Sequence, residues 1–174
     1  MLRRSVVCFI LLSFFIVARG KPPLTPEELI KTLPSVAKQD GIQVGLIVDS
    51  HSEKEIYAEI ITLPEDSKRR AYDVIQKSKV TKHYHPQYTD PDKGPLGAMI
   101  LSLDGKSPDT QDGDRKWIFF TSEFSNGTLK WILAQKGISY IQVSDGDIIG
   151  FSRTAWVKVS SENYTPKHEP RIGK

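Results

Sequence analysis

Apolar and polar positions alternate with a period of two along Ile42-Gln43-Val44-Gly45-Leu46-Ile47-Val48, which puts Ile42, Val44, Leu46 and Val48 on one side of a strand. The alternation resumes from Glu55 to Leu63, where Ile56, Ala58 and Ile60 share a face. The polar stretch His51-Ser52-Glu53-Lys54 turns the chain between them, so the two runs predict a hairpin. The period then changes. Pro64-Glu65-Asp66-Ser67 opens a helix with Ala71, Val74, Ile75 and Ser78 on its small or apolar side, and Arg69, Arg70, Gln76 and Lys77 on its wet side. Ala98 to Leu103 reads as a strand, and Lys116 to Thr121 is apolar on both faces, as expected in a sheet interior. Lys136 to Phe151 predicts two short strands, one carrying Ile141 and Val143, the other Ile149 and Phe151 and continuing through Ala155, Val157 and Val159. Ser144-Asp145-Gly146-Asp147 is the turn between them: Asp side chains accept from nearby backbone N–H groups, and Gly tolerates positive φ.

At the N-terminal side, Thr25 caps a short helix, Pro26 takes its first position, Glu28 completes a capping box and Pro34 stops it. Leu29, Ile30 and Leu33 form its apolar stripe, enough to dock but not to fold alone. From Lys79 to Gly97 the chain reads as a long irregular loop, and such loops are where function often sits. The tail after Ser160 is polar, contains Pro166 and Pro170, and is expected to fray. Strand-strand-helix followed by further strands predicts an α+β domain with a helix packed across a mixed sheet.

Met1 to Gly20 changes what composition means. Arg3 and Arg4, the apolar run Val6 to Val17 and the small residues Ala18 and Gly20 read as a secretory signal, and the run is too short for a membrane span. The chain has 24 basic and 21 acidic residues; the signal holds three arginines and no acids, which leaves 21 of each. Nucleic-acid binding thereby loses its electrostatic argument. Cys8 is the only cysteine and also lies in the signal, so a mature chain has no disulfide and depends on its core. Export makes the sequons at Asn126 and Asn163 candidate glycosylation sites, the first in a polar loop and the second in the tail. The organisation expected is a signal peptide over 1–20, an extension with a short helix over 21–40, one β domain over 41–159 and a polar tail over 160–174.

The order of Gly94-Pro95, an apolar strand, Gly105 at a turn, Trp117 on the next strand, Gly137-Ile138-Ser139-Tyr140 and Asp145-Gly146-Asp147-Ile148 resembles the C-terminal β domain of the cobalamin carriers transcobalamin, intrinsic factor and haptocorrin. Ala71 to Ile75 resembles the family's helical segment before its long loop, and the likeness spans roughly Gly41 to Val159. It implies a β-grasp-like mixed sheet in one α+β domain, and a secreted module that binds cobalamin or another corrinoid. The positions that match the family's ligand contacts are Gly94, Pro95, Met99, Leu101, Trp117 and Phe119. Met99 and Leu101 share a face, as do Trp117 and Phe119, and either set could instead be core. The carriers enclose the corrin between this domain and a helical barrel for which the present length has no room. A lone β domain is then expected to bind more weakly, or to need a separate helical partner chain or receptor, because affinity follows how fully a ligand is desolvated.

Other chemistry finds less support. His83 and His85 fall on one side of an extended segment near Asp90 and Asp92, but two ligands are not a metal set. Asp109, Asp112 and Asp114 lack calcium-loop spacing. Neither a nucleophile elbow nor a phosphate-cradling loop occurs, so no enzymatic activity is expected. The alternative to a ligand binder is a secreted structural, extracellular-matrix or interaction protein that keeps the fold without the vitamin.

Overall fold

The structure is a computed structural model that describes residues 24–35, 41–51, 56–79, 87–88, 100–102, 115–125, 128–160 and 164–172. Helix α1 (Pro26–Thr32) has its capping box: Thr25 Oγ1 accepts from Glu28 N at 3.2 Å, while Thr25 N donates to Glu28 Oε2 at 2.8 Å. A 3-10 turn over Leu33–Ser35 ends it at Pro34. Strands β1 (Ile42–Asp49) and β2 (Ile56–Leu63) form the expected hairpin, with Ile42 opposite Leu63 and Asp49 opposite Ile56. Helix α2 (Ala71–Lys77) follows. Strands β3 (Gln87–Tyr88) and β4 (Ile100–Ser102) pair in a separate small ladder. Then come β5 (Arg115–Ser125), β6 (Thr128–Leu133), β7 (Ile148–Lys158) and β8 (Tyr164–Pro166).

The main sheet runs β2-β1-β7-β5-β6, with β8 attached to β7. β1 and β7 are parallel, Gly45 beside Ile148 and Asp49 beside Ser152; the other neighbours are antiparallel. A hairpin, a helix and a return of the last long strand to lie parallel to the first make an α+β domain with the β-grasp order. No helix among the described residues is long and apolar enough to cross a membrane.

β1 is buried along its whole length because both faces of the sheet are covered. On the first face Val44, Leu46, Val48, Ile149 and Phe151 meet α2 through Ala71, Val74 and Ile75. On the second face Ile47, Ile118, Phe120, Trp131 and Ile148 meet α1 through Leu29 and Leu33. Leu29 is fully buried there, worth about 1.5–3 kcal/mol, so the short helix is held by tertiary packing rather than by its own propensity.

Several sequence expectations are corrected. Ile141 and Val143 do not form a strand of the sheet; Val143 packs on the first face beside α2, and the segment makes only the isolated bridge between Gln142 and Arg70. The Asp-Gly turn after it is hooked to β1. Asp145 Oδ1 accepts from Gln43 N, Gly146 N donates to Gln43 O and Gly45 N donates to Asp147 O, all at 2.8 Å. Gly146 has φ 87°, the conformation its residue type was expected to supply. Helix α2 starts at Ala71, not Pro64; Pro64 to Ser67 is a turn and Arg69 has φ 52°. β6 was not anticipated, although Leu129 and Trp131 alternate with Thr128 and Lys130. The described part of the tail is not frayed. Residues 164–172 run back along β7 and over the end of β1.

Gly150 marks where that tail sits down: a Cβ there would lie 2.8 Å from the Trp131 ring and 2.9 Å from Pro170 Cγ. Gly150→Ala should therefore destabilise the domain by about 1–3 kcal/mol through overpacking, read as a lowered urea midpoint at unchanged slope.

Candidate functional site

Two places combine side chains in ways that packing alone does not require. The first is the β5 end of the sheet's first face. Trp117 and Phe119 lie opposite Arg153 and Phe151 on β7, and both are half-buried, packed against the edge of the core that α2 covers. The Phe119 and Phe151 rings stand 4.9 Å apart and tilted by 32°, a favourable aromatic pairing. Arg153 is buried beside Trp117 across the strand pair. Among the described residues the buried Trp117 and Trp131 indole N–H groups have no hydrogen-bond partner. An unpaired buried donor of this kind costs about 1–3 kcal/mol. The face thus carries two flat, partly exposed aromatic rings, of the kind that line sites for planar ligands.

The second place is a polar corner at the C-terminal end of β1, on the opposite face. The Asp49 side chain is fully buried and takes four N–H groups. Arg171 Nη2 donates at 2.7 Å and His51 N at 2.8 Å to Oδ1, while Arg171 Nε at 2.8 Å and Arg171 N at 2.9 Å donate to Oδ2. That fills the lone-pair positions of an ionised carboxylate with a bidentate guanidinium at its centre. Burial pushes the Asp49 carboxyl up, but the Arg171 and His51 hydrogen bonds outweigh it and hold the group below the usual carboxylate range.

His51 closes the corner. Its Nε2 is 2.9 Å from Ser152 Oγ, 3.2 Å from Glu169 O and 3.5 Å from Asp49 Oδ2. Glu169 O and the Asp49 carboxylate can only accept, so Nε2 carries the hydrogen and Nδ1 is the nitrogen left to titrate. Ser152 Oγ in turn donates to His168 O at 3.0 Å. Burial pushes the His51 imidazole down, the Asp49 carboxylate opposes it, and the charges of Arg171 and His168 add to the lowering. Asp, His and Ser are together, but this is not a nucleophile triad. Both Asp49 and Ser152 face the same ring nitrogen, that nitrogen is a donor toward the hydroxyl, and Ser152 is wholly buried.

Of the residues expected at a ligand site, Trp117 and Phe119 are brought together on one face. Leu101 falls in β4. Gly94, Pro95 and Met99 lie outside the described residues, as do His83, His85, Asp90, Asp92, the sequons at Asn126 and Asn163, and the signal segment. Among the described residues no group of three His, Cys, Asp or Glu side chains could hold a metal ion. Sequence reasoning did not find the Asp49 corner. The available signal was an acidic residue continuing the inward-facing row Gly45, Ile47, Asp49 on a strand otherwise buried on that side.

No family model and no curated protein matches the sequence. Among solved structures, the chain resembles a provisionally designated metal-binding protein from Ruminococcus gnavus, at a TM-score of 0.42 and 14% identity, over 64% of this chain and 94% of that one. So distant a likeness carries no argument about ligand or site.

Removing the guanidinium tests the corner. Arg171→Met should cost about 3 kcal/mol at pH 7, the low end for a broken buried pair because Arg171 is partly wet. A carboxyl with a depressed folded pKa stabilises above its unfolded value, near 3.9, and loses that contribution as pH falls through the folded value. Urea titrations from pH 7 to pH 2 should therefore show the wild type losing this increment below about pH 4, and Arg171→Met losing less over the same window.

Proposed function

We propose that this chain is a secreted small-ligand-binding module that takes a planar ligand on the β5 end of its sheet, with cobalamin or another corrinoid the best candidate. The observation that carries the reading is the aromatic pair Trp117 and Phe119, left half-buried at the edge of the core. A ring system laid on this face would gain apolar contact from both side chains. The resemblance of the Gly94-Pro95, Trp117 and Asp145-Gly146-Asp147 positions to the cobalamin-carrier β domain supplies the ligand class. The segment Met1 to Gly20 supports export, and with it glycosylation at Asn126 or Asn163. With only one side of the ligand enclosed, affinity is expected to be modest unless a helical partner chain or receptor supplies the other side.

Packing of Trp117 and Phe119 against the protein's own core also fits the second reading, an extracellular structural or interaction protein that no longer holds a corrinoid. A titration separates the two. Cobalamin and cobinamide should each shift the corrinoid absorption and quench tryptophan emission at micromolar concentrations. Trp117→Phe should remove most of the quenching and weaken binding at least tenfold while the far-ultraviolet circular dichroism is unchanged. Absence of any spectral change with either corrinoid at several hundred micromolar would refute the binding reading and leave the interaction protein.

A further inference from the structure

We propose that residues 164–172 form a strap that closes over the sheet at neutral pH and is released by protonation of His51. The strap is held by a few discrete links. β8 pairs with the end of β7, Lys167 N donates to Ala155 O at 2.8 Å, and His168 N donates to Thr154 Oγ1 at 2.9 Å. Beyond these, its carbonyl groups at His168 and Glu169 depend on Ser152 and His51, and its far end depends on Asp49. Pro170 lies over Gly150 against Trp131, and Ile172 packs on the second core face.

Charge is what makes this arrangement conditional. The His51 and His168 rings are 5.0 Å apart, and the Arg171 guanidinium sits on the same carboxylate that His51 faces. The groups facing His51 are Asp49 from β1, the hydroxyl of Ser152 from β7, and His168, Arg171 and the Glu169 carbonyl from the strap. With the His51 imidazole neutral, Asp49 and Arg171 balance. With His51 protonated, one buried carboxylate faces two cations, Arg171 from the strap and His51 from the end of β1. Histidine is the side chain that changes charge between pH 5 and 8, so the imbalance arises over a physiological interval. The sign agrees with the surroundings of His51: a histidine whose folded pKa is depressed favours the closed form above its unfolded value near 6.5, and that preference is lost as pH falls through the folded value. Opening would uncover Trp131 and the groove between β6 and the strap, lined by Leu129, Trp131, Pro170 and Ile172. The inference is independent of the ligand proposed above.

Amide hydrogen exchange on the full chain at pH 7.4 and pH 5.0, corrected for the intrinsic pH dependence, tests it. Peptides spanning 164–172 should exchange at least tenfold faster at pH 5.0, with β1 and β5 changing less than twofold. His51→Asn suits the positive φ of 50° and cannot titrate, so this variant should reduce the strap's ratio to under threefold. Should His51→Asn fold poorly, His51→Gln should still lower the ratio by at least half. Equal strap protection at both pH values overturns the proposal. So does a ratio that survives the variants, or an acid response shared by β1 and β5, which would mean the whole domain opens.

Discussion

The structure depends on a parallel pairing between β1 and β7, strands that the chain reaches about a hundred residues apart. Parallel neighbours cannot be joined by a tight turn, so everything between them must return the chain to the same end of the sheet. The device that fixes the register is the Asp145-Gly146-Asp147 turn, whose carboxylate, N–H and C=O groups all bond to Gln43 or Gly45 at the start of β1. β7 therefore begins already aligned, Ile148 beside Gly45. Because β1 lies between β2 and β7 and has both faces covered, its eight residues are buried, and each side of the sheet acquires its own core.

Those two cores differ in what completes them. On the first face α2 and the segment around Ile138 and Val143 cover β1, β2 and β7, and Trp117 and Phe119 are left at the rim. On the second face α1 covers the middle, and the C-terminal residues Pro170 and Ile172 cover the rest. The first face thus presents aromatic surface beside a rigid sheet. The second is finished by a peptide whose attachment is mostly polar, so its closure answers to charge rather than to apolar area.

How much of this could be read from the chain follows from how local each signal is. The capping box at Thr25 and Glu28, the alternation in β1 and β2, the apolar side of α2 and the Gly146 turn are decided by neighbours within a few residues, and each was legible. The segment at Ile141 and Val143 has strand-like alternation, yet it serves as a cover for α2; period alone does not say whether a backbone pairs or merely packs. β6 escaped because Lys130 and Thr128 make the run look polar, as an edge strand usually does. The Asp49 corner was not legible because its parts are scattered over Asp49, His51, Ser152, His168 and Arg171, and a tail rich in polar residues gives no pattern for contacts that are themselves polar. The α+β class followed from the order of elements, whereas Gly94, Pro95 and Met99 rest on resemblance and lie outside the described residues.

The distance along the chain between Asp49 and the group that neutralises it has a further consequence. The two are 122 residues apart, and Asp49 ends β1, an interior strand of the sheet. During synthesis that carboxylate is made long before Arg171, and burying it early would strand a charge in a dry interior. That end of β1 is therefore expected to stay wet until Arg171 arrives. Loop closure over such a span is expected to make this contact form later than the hairpin or α2.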